Sequence, residues 1–326
     1  MESVSASTQV LYAQRENNAV YKTEYELDFW EEVRRRWMIV GVLSAVAMAV
    51  LTSHYGASGG IFHTQYIVYI PLIYIYYNAG RTQVHACRTR LYALTVLHAH
   101  VVGLALSVVT VNALSVALDR RVIEGTILAS VARPCAWLPL SFNKDGVTPT
   151  IVAINYTMSF IFSPLAHLFL CGRVPLPTLN NFIITVLTSL VPFGLGYLSH
   201  KTEIDTTSTK ISALIVLYTE CCNLLTEAEG SLYITDVMAT LFLVISWLST
   251  VAASSYLYVR CGLLTLNEAY MLLLIATPKS THIEWLSSSV CASGLARLPA
   301  VFIAPAQALL LAAITSDYQN GDELPR

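Results

Sequence analysis

The sequence predicts an all-α polytopic membrane protein of ten transmembrane helices, built as two inverted five-helix repeats with broken crossing helices 4 and 9. Three observations carry this. Apolar residues make up 55% of the 326-residue chain and charged residues 12%, with a mean hydropathy of +0.57, whereas a soluble domain carries about 25% charged residues. Apolar stretches near the length a bilayer requires, about 20 residues, recur with brief connections between them. Two of those stretches carry a proline flanked by a base: Arg133 with Pro134, and Pro278 with Lys279.

In chain order, residues 1–36 are polar and of mixed charge, with no hydrophobic region near the start, so no cleavable signal peptide is expected and the first span acts as its own signal. The aromatic and arginine-rich segment 29–37, FWEEVRRRW, suits a cytoplasmic interfacial anchor. The first repeat, 37–172, holds spans at 37–53, 61–79, 91–113, 122–142 and 148–171. The second, 182–315, holds spans at 182–199, 211–225, 237–259, 267–289 and 298–315, and 316–326 is a tail.

Orientation follows from the basic residues. With the N-terminus in the cytoplasm, Arg15, Lys22, Arg34, Arg35, Arg36, Arg81, Arg88, Arg90, Lys144, Lys201, Lys210, Arg260 and Arg326 lie inside. Arg120, Arg121, Arg173 and Arg297 lie outside, a bias of thirteen to four that puts both termini in the cytoplasm. The acidic loop 226–236 then falls outside as a solvated connection. A net charge of −2 with no basic face excludes nucleic acid as a partner. Seven scattered cysteines, of which only Cys221 and Cys222 are adjacent, give neither a disulfide framework nor a zinc site. No HExxH motif is present, and the chain is not read as an enzyme; no cofactor or metal is expected.

The ninth span is the informative one. Proline removes a backbone donor and clashes with the preceding turn, and a lysine at mid-bilayer costs roughly 2.5–3.5 kcal/mol on insertion scales. Interrupted helices are tolerated only where the freed backbone is buried in protein or lines a cavity. In spans 4 and 9 alike, a glutamate (Glu124, Glu268) stands ten residues before the proline, and the two prolines are 144 residues apart. Five spans per copy is an odd number, so the second copy sits upside down. Inverted repeats with matching interruptions point to a transporter site at the midplane. A half-helix that ends there exposes carbonyls and the negative end of a dipole, which favours a cation. Arg133 and Lys279 supply that charge themselves, which predicts sodium-independent transport of an anionic solute. The alternative is that the bases pair with Glu124, Glu220 or Glu268 as structural glue.

Other polar residues in the spans are weighed the same way. His98 and His100 are two apart, roughly 200° around a helix, and cannot both face one ion. Glu220 is an intramembrane carboxylate, either paired or in a cation or proton role. Asn155 heads an NYT sequon inside a span, where it serves as a packing or cavity amide. Asn78 with Gly80 reads as a helix stop. The tyrosines at 66, 69, 74, 76 and 77 read as lipid or interface contacts.

These residues also carry a resemblance. GG (Gly59, Gly60), YNAG (77–80), LHAH (97–100), YTECC (218–222), TPKS (277–280) and PAQALL (305–310) occur in order across 37–317. In this the chain resembles the solute carrier family 10 member 7-like branch of the bile acid:sodium symporter superfamily. The resemblance implies a panel and a core domain, with Thr277, Lys279 and Ser280 matching the branch's ninth-span motif and Pro134 and Pro139 matching its fourth-span break loosely. Segment 133–163 is shorter than the family pattern and lacks its serine run, and the side chains that bind sodium in bile acid carriers are not recognisable. The candidate solute and ion pathway is Arg133, Pro134, Asn155, Thr277, Pro278, Lys279, Ser280 and Thr281. The expected function is that of a secondary-transporter-like protein with an anionic or amphipathic solute such as an organic anion. The resemblance adds a part in calcium homeostasis and residence in the plasma membrane or a secretory-pathway membrane. The alternative is a non-transporting regulator of calcium entry on a carrier fold, whose partners beyond the lipid bilayer are calcium-entry regulators.

Overall fold

The computed structural model describes residues 30, 33–34, 36–82, 89–142, 147–172, 179–199, 206–228, 233–280 and 294–321. Among them the secondary structure is helical, apart from one isolated antiparallel bridge between Pro134 and Lys279. We label the principal helices α1 (Trp37–Gly56), α2 (Tyr69–Arg81), α3 (Thr89–Leu114), α4 (Arg120–Val131), α5 (Trp137–Phe142), α6 (Thr148–Cys171), α7 (Phe182–Leu198), α8 (Thr206–Glu227), α9 (Ile234–Arg260), α10 (Leu266–Ala276) and α11 (Leu298–Gly321).

Among the described residues, five stretches are long and apolar enough to cross a membrane: α1, α3, α6, α9 and Leu295–Thr315 within α11 and the turn before it. α7 and α10 are shorter apolar helices. The outer surface suits lipid, since Leu51, Phe169 and Leu198 are each about four-fifths exposed.

Local chemistry sets the ends that matter. Asp119 caps α4 by accepting from the Arg121 amide at 2.8 Å. Thr265 and Glu268 form a capping box at the start of α10, each side chain taking the other's backbone amide. α6 carries Pro149 in its first turn and ends at Gly172, whose φ of 68° lies in the left-handed region. α10 stops at Ala276, two residues before Pro278, and the predicted remainder of span 9, 281–289, lies outside the described residues.

The two halves of the chain interleave. α1 packs chiefly on α8, and α2 chiefly on α7. Backbones touch at the second contact: a Cβ at Gly80 would sit 2.1 Å from the Phe193 carbonyl oxygen, and one at Gly196 would sit 2.1 Å from that of Tyr77. Only glycine fits at both places. α2 ends at Arg81, one residue past Gly80 and close to the predicted stop, though Gly80 is not a left-handed cap; Asn78 and Gly80 also make a helix contact, Asn78 donating to Thr209 of α8 at 3.1 Å. α8 likewise extends to Thr206–Glu227, beyond the predicted 211–225, because polar residues of its first turns such as Thr209 find protein partners.

α3, α6, α9 and α11 surround the break formed by α4, α5 and α10. The main apolar core runs from Val42 of α1 through Ile75, Phe142, Val216 and Leu272 to Leu311. A second cluster joins Ala129, Trp247, Leu273 and Ile303 behind the break.

Candidate functional site

The interrupted segments after α4 and α10 meet back to back. The Cys135 amide donates to the Pro278 carbonyl at 2.9 Å, and the Ser280 amide donates to the Arg133 carbonyl at 2.7 Å. These two bonds make Pro134 and Lys279 an antiparallel pair. The breaks therefore satisfy each other's backbone, which is why unwound chain persists in the middle of an apolar bundle.

Two further side chains close the remaining gaps. Gln307 of α11, 1% exposed, accepts from the Lys279 amide at 3.2 Å and donates to the Thr277 carbonyl at 3.4 Å. Ser163 of α6 donates to the Val131 carbonyl at the end of α4. The sequence reading assigned neither residue a role. Gln307 carried a signal, a lone amide inside an apolar span; Ser163 carried none.

The two bases go to different places. Lys279 is buried, and its ammonium donates at 2.8 Å to the carbonyl of Ala99 in α3, not to the end of its own helix. That carbonyl is available because α3 makes a π turn at His98–Val102: the Gly103 amide bonds the His98 carbonyl five residues back and leaves its α-helical partner, Ala99. Arg133 lies with its guanidinium carbon 4.2 Å from the centre of the Phe160 ring, and its side chain hydrogen-bonds Tyr156.

Glu124 and Glu268 do not pair with these bases. Ten residues of helix span about 15 Å, so both carboxylates sit at the far ends of their half-helices. Glu124 bonds Arg120 at 2.9 Å, and Glu268 is held in its capping box. Glu220 of α8 is buried and within electrostatic reach of Cys135. Among the described residues no carboxylate reaches the Lys279 ammonium.

Asn155 of α6 lines a narrow crevice with Pro134, Cys135, Ala136, Val152, Tyr156 and Ile275. Its backbone carbonyl lies 3.2 Å from His100 Nε2. Its side-chain amide is buried beside that ring, yet neither its nitrogen nor its oxygen finds a partner at hydrogen-bond geometry. The Thr277 hydroxyl is also buried without a partner. His98 turns instead to Tyr258 of α9, 3.5 Å away, so the two histidines address different helices. Thr281 lies outside the described residues.

The structure thus brings Arg133, Pro134, Asn155, Thr277, Pro278, Lys279 and Ser280 to one place and leaves Glu124 and Glu268 away from it. The chain matches no protein-family model and no curated protein.

Proposed function

We propose that the chain is a sodium-independent, secondary-carrier-like membrane protein in which the crossing of the two breaks is the site where an anionic or amphipathic solute is held. The observation that carries this reading is the pair of broken segments bonded to each other, with Lys279 and Arg133 beside them. Protein cations at such a crossing stand where sodium-coupled carriers of this design place a metal ion. The unpartnered Asn155 amide offers a donor and an acceptor to the solute.

Support for ten spans in two inverted repeats comes from intervals. α3 and α9 begin 145 residues apart, and α4 and α10 begin 146 apart. Exchange of the two halves also converts the α1–α8 contact into the α7–α2 contact, the two most extensive in the bundle. Rocking of one helix group against the other about the crossing would expose the site alternately to each side.

The likeness to the bile acid:sodium symporter superfamily adds a part in calcium homeostasis. The test is uptake of pooled labelled organic anions by proteoliposomes holding the full chain under a clamped potential. Uptake that is lost in folded Lys279→Met and Arg133→Gln variants supports the carrier. No uptake from folded wild type, together with an effect of the protein on calcium entry in cells that survives both substitutions, assigns it instead as a non-transporting regulator.

A further inference from the structure

We propose that Lys279 is a proton-operated latch: charged, it ties the break after α10 to the π turn of α3 through the Ala99 carbonyl, and loss of its proton leaves only a weaker neutral bond and loosens α3 from the crossing. In the carrier reading, on which this last step rests, that proton serves as the coupling ion.

The argument starts from hydrogen-bond capacity. An ammonium has three donors, and the acceptor that meets the Lys279 side chain among the described residues is one carbonyl, at 2.8 Å. The π turn frees the Ala99 carbonyl of its helical partner, since an α-helical turn would return the Gly103 amide to it and leave the ammonium to share that oxygen. The unshared oxygen makes the stronger acceptor, so the bond and the π turn favour each other.

Among the described residues no carboxylate is bonded to the Lys279 ammonium. α3 contributes His98 and His100, α9 contributes Tyr258, and α6 contributes Tyr156 and His167. The opposite half-helix contributes Arg133, α11 contributes the neutral amide of Gln307, and Glu220 of α8 lies on the Cys135 side. Arg133 keeps its charge at any working pH, whereas a lysine can exchange its own. Of the two bases at the crossing, only Lys279 can act as a switch. In the step itself one N–H bond of the ammonium breaks, the electron pair stays on Nζ, and the proton passes to water admitted as the bundle rocks. The reverse step recharges the latch.

The latch is tested without a solute. Full-length protein in lipid nanodiscs is followed by hydrogen–deuterium exchange over peptides covering 98–104 and 278–280. Rates between about pH 6 and pH 10, where a lysine inside a protein can lose its proton, are corrected for intrinsic base catalysis and referred to the α1–α8 interface. Replacement of a charge-assisted bond by a neutral one predicts a fall in protection of about tenfold as pH rises. Lys279→Arg should stay protected across the range, and Lys279→Met should stay unprotected throughout. A wild-type profile that is flat against the reference, or a Lys279→Arg profile that follows wild type, overturns the latch. A flat profile with intact anion uptake removes the latch and leaves the carrier. A pH step in protein that takes up nothing keeps the latch and removes the carrier.

Discussion

Ser163 and Gln307 stand 144 residues apart, the interval that also separates Pro134 and Pro278, and each donates from its side chain to a carbonyl beside its own break. Proline removes a hydrogen bond in both halves, and a polar side chain from the following long helix covers part of the gap in both. Of the two, Gln307 does more, since it also accepts from the Lys279 amide.

Gln307→Leu keeps the volume and removes both bonds. The buried Lys279 amide and Thr277 carbonyl are then left short of partners, at about 1–3 kcal/mol for each group. Heat unfolding of the detergent-solubilised protein should show a lower midpoint than wild type. An unchanged midpoint would mean that the break does not depend on this amide.

Asn155→Leu should behave in the opposite way. Its amide is buried without hydrogen bonds, so an apolar replacement of similar size should hold or raise stability by about 1 kcal/mol while uptake falls. A destabilised variant with normal uptake would make Asn155 a packing residue.

Much of this site was legible in the sequence, and what was not has physical causes. Pro134 and Pro278 announce themselves because proline cannot donate, and the bases beside them stand out in an apolar setting. The pairing of the breaks is tertiary and has no local signature. The π turn at His98–Val102 shifts a hydrogen bond by one residue without any change in composition, so the destination of Lys279 was unreadable. Glu124 and Glu268 share one spacing from their prolines, but ten residues of helix rise about 15 Å and carry both carboxylates out of reach of the bases. Among the described residues, five of the ten predicted spans correspond to helices both long and apolar enough to cross, and α8, for the seventh, has 22 residues but is more polar. Span 4 is divided into α4 and α5, and span 9 is described only as far as its break.

Gly80→Ala tests the contact between α2 and α7. Its Cβ would overlap the Phe193 carbonyl at 2.1 Å, and the backbones must separate, at a cost of about 1–3 kcal/mol. Gly194→Ala is the control, with nothing within 4 Å of its Cβ and a helix-propensity gain of up to about 1 kcal/mol. Equal unfolding midpoints for the two variants would contradict the packing.

Glu124→Gln removes the ion pair with Arg120, whose carboxylate side is 53% exposed. Such pairs contribute about 0–1 kcal/mol, so stability and uptake should both stay near wild type. A loss of uptake in folded protein would return Glu124 to the site.

The central claim is that cations of the protein itself occupy the crossing in place of a coupling metal ion. Initial rates of labelled anion uptake into proteoliposomes, measured in sodium medium and in choline medium, test it most directly. The account predicts equal rates in the two media for wild type and loss of uptake in both for folded Lys279→Met. Uptake by wild type that requires sodium, or a Lys279→Met variant that transports at the wild-type rate, would contradict it.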